Sequence, residues 1–158
     1  MTDSSFHIVL VEPEIPPNTG NIARLCGATE TVLHLVGKLG FSLDDRYLKR
    51  AGLDYWEVID IRTWETLEEL EEAFPEGRWW YTSKKAGRCH VEADFKAGDL
   101  IVFGKETAGL PEELLARNPE RCIRIPIFSS RVRSLNLSTA AGIVLYEALR
   151  QTGRLVRG

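Results

Sequence analysis

Two short, almost continuous apolar runs near the N-terminus restrict the fold more than any other feature of the chain. Phe6-His7-Ile8-Val9-Leu10-Val11 and Val32-Leu33-His34-Leu35-Val36 have the composition of strands buried on both faces. Between them lie a proline-rich loop, Glu12 to Asn21, and a helix-forming segment from about Asn21 to Thr29. A strand, a helix and a second strand in that order form a βαβ unit, which predicts parallel strands joined by a right-handed crossover. The alternation continues along the chain. Glu57–Ile61, Arg78–Thr82, Asp99–Phe103 and Cys122–Ile125 read as four more strands. Asp44–Ala51, Trp64–Phe74, Pro111–Arg117 and Asn136–Thr152 read as helices, with Pro111 at an allowed first-turn position. The expected fold class is α/β, a mostly parallel sheet flanked by helices. A chain of 158 residues, 44% of them apolar, can fill the core of one such domain spanning 1–158.

Composition narrows the function classes. Charges interrupt every apolar segment, so no membrane span is expected. Met1 to Ser5 lacks the basic and apolar regions of a signal peptide. Cys26, Cys89 and Cys122 are odd in number and widely spaced, as expected of reduced, mostly buried thiols in a cytoplasmic protein. His7, His34 and His90 are equally scattered, and no metal site is expected. The net charge of −3 argues at first against a nucleic-acid partner, but its distribution reverses the argument. Glu57 to Glu76 carries eight acidic residues and one basic, so the remainder of the chain carries +4. Leu67, Leu70 and Phe74 have helical spacing within that segment, which predicts an amphipathic helix whose acidic face is solvated, away from any RNA.

In parallel α/β sheets ligands sit beyond the carboxyl ends of the strands. Three loops at such positions carry polar chemistry. The first is Asn18-Thr19-Gly20-Asn21-Ile22-Ala23-Arg24, where Arg24 could grip a phosphate or carboxylate bidentately, or simply face solvent. The second is Phe103-Gly104-Lys105-Glu106-Thr107-Ala108-Gly109-Leu110-Pro111. Its glycines match neither the dinucleotide fingerprint nor a Walker A loop, and Glu106 between them suits a ligand amine or a backbone amide. The third runs from Ile125-Pro126 to Ser138, with Arg131 and Arg133 ahead of three helix-cap residue types, Ser134, Asn136 and Ser138. No Ser/His/Asp or Cys/His arrangement supports hydrolytic nucleophilic catalysis.

Taken together, in order and at family spacing, these three stretches resemble the three motifs of the SpoU/TrmH family, the SPOUT-class RNA 2′-O-methyltransferases. The resemblance covers nearly the whole chain, with no separate RNA-binding domain. With the start Ile8 to Asn21 and the end Val144-Leu145-Tyr146-Glu147-Ala148, it is nearest to the TrmL (YibK) subgroup. That resemblance implies methylation of the 2′-hydroxyl of the wobble nucleotide, cytidine or uridine 34, in leucine tRNAs. It also implies a C-terminal deep trefoil knot, a homodimer, and S-adenosylmethionine bound by Tyr81, Thr82, Gly104, Gly109, Ile125, Ser134 and Leu135. Asn18 and Arg24 would face the target ribose and phosphate, Glu106 would orient the arginine or the RNA, and Ser134 and Asn136 would hold cofactor and ribose. The proton acceptor would be Arg24 in a special environment, or the Tyr146 phenol. Lys84, Lys85, Arg88, Arg131 and Arg133 would contact RNA. An apolar stripe of Leu137, Ala141, Val144, Leu145 and Ala148, with Ile143, Tyr146 and Leu149 on another side, independently suggests a helix that packs on its own sheet and on a partner. One departure stands out: Ile127 to Arg133 is one residue longer than the family pattern, leaving Arg131 and Arg133 as rivals for the family arginine, with Arg133 favoured because it adjoins Ser134. Methylation of another tRNA position or of ribosomal RNA, and a non-catalytic knotted RNA-binding factor, are the competing readings.

Overall fold

A computed structural model describes residues 4–46, 48, 50 and 57–156. Seven strands form one sheet: β1 (His7–Val11), β2 (Val32–Val36), β3 (Ile61–Trp64), β4 (Trp79–Thr82), β5 (Arg88–Cys89), β6 (Leu100–Phe103) and β7 (Cys122–Arg124). Their order is β3-β2-β1-β6-β4-β7-β5, and every pairing is parallel. The α-helices lying wholly among the described residues are α1 (Pro16–Thr29), α2 (Leu67–Ala73), α3 (Glu112–Arg117) and α4 (Leu137–Gln151).

Side chains alternate across a strand, so β1 sends Ile8 and Leu10 to one face and Val9 to the other. The first face packs with Ile22 and Cys26 of α1 and with Val144, Leu145 and Ala148 of α4. The second packs with Leu70 of α2 and Leu114 of α3. Covering on both faces is why the strands read as unbroken apolar runs. At the amino ends of β4 and β6, the buried Asp99 ties the sheet together. Its carboxylate accepts from Arg78 Nε at 2.9 Å, Trp80 Nε1 at 2.8 Å and the Lys96 amide at 2.8 Å.

Four elements differ from the sequence expectation, the first being the helix expected from Trp64, which starts only at Leu67 because Trp64 ends β3. Helix α1 starts at Pro16, not near Asn21, because prolines are accommodated in a first turn, where no N–H partner is needed. The third strand is Ile61–Trp64, not Glu57–Ile61. It is an edge strand whose central residues Arg62 and Thr63 are exposed, so it lacks the apolar signature of its neighbours. Strand β5, only two residues long, has no sequence signature at all. The helix expected over Asp44–Ala51 lies partly outside the described residues, and Arg46, Leu48 and Arg50 are helical. Cys26 and Cys122 are buried thiols and Cys89 is half-buried, with burial pushing the Cys26 thiol up.

Candidate active site

The three polar loops converge because β1, β6, β4 and β7 are consecutive neighbours in the sheet. Beyond the carboxyl ends of these strands lies a cavity of about 710 Å³, within the range of small-molecule sites. Phe103, Ile123, Ile125, Leu137 and Val144 give it an apolar floor, and Thr82, Ser83, Glu106, Ser134 and Asn136 give it polar groups.

A directed chain of hydrogen bonds locks the loops together. The Glu106 carboxylate caps the entrance of α1, accepting from the amides of Glu14 at 2.8 Å and Ile15 at 2.9 Å. It also accepts from Asn18 Nδ2 at 3.1 Å. A carboxylate only accepts, so Asn18 must turn its nitrogen to Glu106 and its oxygen to Asn136, whose Nδ2 donates to it at 3.0 Å. That in turn aims Asn136 Oδ1 at α4, where it accepts from the Ser138 amide at 2.9 Å and the Ser138 hydroxyl at 2.6 Å. The first and second loops are also joined the other way. Thr107 donates to Glu14 Oε1 from its amide at 3.1 Å and its hydroxyl at 2.7 Å, and these bonds hold the Glu14 carboxyl below its ordinary range.

The two glycines of the second loop are needed for different reasons. A Cβ on Gly104 would sit 2.1 Å from the carbonyl carbon of Gly109, because the loop folds back onto itself there. Gly109 has φ +70°, a left-handed conformation, and its amide donates to the Lys105 carbonyl at 2.8 Å.

Residues 5–146 match the SpoU rRNA methylase family. The chain belongs to that family. Among its relatives, a tRNA (cytidine(34)-2′-O)-methyltransferase from Methylovorus glucosotrophus is 50% identical over 147 residues, covering 92% of this chain and 95% of that one. A solved structure concerned with the 2-OH methylation of C/U34 on tRNA is 46% identical, has a TM-score of 0.89, and covers 95% of this chain and 97% of its own. An AdoMet-bound rRNA methyltransferase from Sinorhizobium meliloti is 28% identical with a TM-score of 0.80, covering 94% of this chain and 57% of that one.

The expected site residues fall into three groups. Asn18, Thr82, Gly104, Glu106, Gly109, Ile125, Ser134, Leu135 and Asn136 all line the cavity, as do Lys84, Lys85 and Arg133. Tyr81 does not: its side chain lies on the other face of β4, packed among Val102, Leu114 and Cys122 and stacked on Trp79 at 6.4 Å. Burial pushes its phenol up to about 12. The strand end therefore presents Thr82 and Ser83, not the Tyr81 ring. Arg24, Tyr146, Arg88 and Arg131 form the third group, exposed and outside the cavity lining. Arg24 is six residues from Asn18, which sets the two about 120° apart around α1. Lys85 Nζ pairs with Glu112 at 3.0 Å on an exposed surface. Glu14 and Thr107 were not anticipated as partners, since nothing in the sequence links positions so far apart. Leu137, Ala140 and Val144 carry a signal, helical spacing, but that spacing does not tell a cavity wall from a core. Among the described residues no helix is long and apolar enough to cross a membrane, and no group of three or more His, Cys, Asp or Glu could hold a metal ion.

Proposed function

We propose that this protein is a tRNA 2′-O-methyltransferase acting on the wobble cytidine or uridine 34 of leucine tRNAs, with S-adenosylmethionine as methyl donor. The observation that carries the reading is the convergence of all three family motifs on one cavity, held by the Glu106–Asn18–Asn136 chain. An apolar floor with hydroxyl and amide groups at its edge suits a molecule that joins a nucleoside to a charged amino-acid end. When bound there, that cofactor supplies an electrophilic methyl group. Thr82, Ser83, Ile125 and Leu135 would hold it, and Ser134 and Asn136 would position the acceptor ribose.

Transfer requires in-line approach of the 2′-oxygen and loss of its proton, so the protein's task is positioning plus a base. Arg24 and Tyr146 do not line their own cavity, so either group can serve the ribose only at the cavity mouth or from a second copy of the chain. A homodimer through the exposed side of α4, where Ile143 is 37% and Tyr146 45% exposed, fits the second arrangement. The reading includes a single cytoplasmic domain over 1–158 with the family's knotted C-terminal path. The acidic helix α2 lies on the second face of the sheet, with Leu70 among Val9, Tyr81 and Leu114, whereas Lys84, Lys85, Lys105 and Arg133 line the cavity that would receive the RNA.

The test is transfer of labelled methyl from S-adenosylmethionine to total tRNA, with the product nucleotide mapped by mass spectrometry. The expected product is 2′-O-methylation at position 34 of leucine tRNAs. Methyl on a base, or on ribosomal RNA alone, overturns the reading. Replacing Arg24 with Ala should abolish transfer while leaving cofactor affinity intact.

A further inference from the structure

The loop between β7 and α4 carries a side chain that the cavity does not use. Phe128 is 98% exposed, the most exposed large apolar residue described. It follows Ile127, which lines the cavity, and is not itself part of the lining, so it stands at the cavity's rim. Its loop is shaped locally: Ser129 Oγ accepts from the Arg131 amide at 3.0 Å and the Val132 amide at 3.2 Å, which turns the chain directly after Phe128. That turn places Arg131 and Arg133 close behind the ring in sequence, both exposed, and Arg133 also lines the cavity.

An uncovered aromatic ring on the same exposed loop as two arginines matches the two halves of single-stranded RNA. A ring accepts the face of an unpaired base, and guanidinium groups accept phosphates. A hydrophobic protein partner would explain the ring but not the cations. We infer that Phe128 is a stacking platform for an unpaired base of the bound tRNA beside the methylated nucleotide, with Arg131 and Arg133 on the adjoining phosphates. This inference rests on the tRNA methyltransferase reading above.

The test uses the full chain and a fluorescently labelled RNA anticodon stem-loop. Phe128→Ala should weaken binding in anisotropy titrations by about 10- to 100-fold, the range of one lost base stack. In steady-state transfer the loss should appear in KM for tRNA, with kcat kept, because a stack present in ground and transition states is uniform binding. Phe128→Trp should restore affinity and Phe128→Leu should not, since leucine keeps the apolar bulk without a π face. S-adenosylhomocysteine affinity should be unchanged in all three. Unaltered RNA affinity in Phe128→Ala, full rescue by Phe128→Leu, or a changed oligomeric state of Phe128→Ala in sedimentation velocity overturns the inference, the last by making Phe128 a contact between copies of the chain. The binding arm separates the two claims. RNA affinity that depends on Phe128 without any methyl transfer sinks the activity and keeps the stack, and transfer without that dependence does the reverse.

Discussion

Glu106 shows what a single side chain can be asked to do at this site. From the sequence it was suited to a ligand amine or to a backbone amide, and the fold uses the second: two amides and the Asn18 nitrogen converge on its oxygens. The partner could not be read from sequence because Glu14 and Ile15 come from a loop 92 and 91 residues away. In Glu106→Gln one oxygen becomes an NH2 group that cannot accept, and one amide loses its partner. The expected destabilisation is about 1–3 kcal/mol by chemical denaturation, with a fall in methyl transfer. A loss under about 0.5 kcal/mol would mean the carboxylate is not what holds the loops. The glycines nearby separate two effects that sequence could not. Gly104→Ala places a Cβ 2.1 Å from backbone, so the loop must open. Gly109→Ala meets nothing within 4 Å and adds only the strain of φ +70°, about 1–2 kcal/mol. Calorimetry with S-adenosylhomocysteine should find binding at least about tenfold weaker for Gly104→Ala than for Gly109→Ala. Equal effects would contradict the fold-back geometry.

At the level of elements, what was legible followed burial. Strands β1, β2 and β6, covered on both faces, were placed within a residue or so of their ends, whereas β3 and β5, both at sheet edges, were shifted or missed. The start of α4 was legible only as a surplus of caps, and the structure assigns that work to Asn136. Its amide serves two elements at once, since Oδ1 caps α4 and Nδ2 reaches Asn18 on α1. Asn136→Ala should lose both, including the cap's contribution of about 1 kcal/mol. Asn136→Asp isolates them. A carboxylate still caps α4, but it faces Asn18 Oδ1 with another acceptor, and Asn18 cannot flip because Glu106 requires its nitrogen. We expect Asn136→Asp to keep most of the thermal stability that Asn136→Ala loses, yet to transfer methyl no better than Asn136→Ala. Near-normal turnover in Asn136→Asp would show that the link between α1 and α4 is dispensable.

Across the whole molecule the sheet has two differently built ends, and the sequence disclosed only one. The loops at the carboxyl ends carry motifs. On the second face, the sheet's other half holds a histidine pair, legible beforehand only as two residues in strand-like runs. Trp64 Nε1 donates to His34 Nδ1 at 2.9 Å, so neutral His34 carries its proton on Nε2 and donates it to His7 Nδ1 at 2.9 Å. The rings stack at 5.1 Å, and Phe74 stands edge-on to both. Burial, reinforced by Arg62 and only partly offset by Asp60, pushes His7 down to about 4; burial, reinforced by His7 and Arg62 and only partly offset by Asp60, pushes His34 down to about 3. In the unfolded chain both titrate near 6.5. Above that pH neither state binds the protons and the stabilisation is complete. Below it the unfolded chain takes up protons that the folded chain refuses, so stability falls with pH until folded His7 titrates near 4 and folded His34 near 3. The limiting slope is about 1.4 kcal/mol per pH unit for each histidine, or about 2.7 for both. Between pH 6.5 and 5 the carboxylates with lowered values, Glu14, Asp60 and Glu147, remain ionised in both states and contribute little. Urea unfolding at half-unit steps across this window should therefore show a slope approaching two protons in the natural protein. Replacing His34 with Gln, which can still accept from Trp64 and donate to His7, should cut it to about one. A slope below one proton in the natural protein would mean that the pair is already charged when folded, and the tautomer chain from Trp64 to His7 would have to be abandoned.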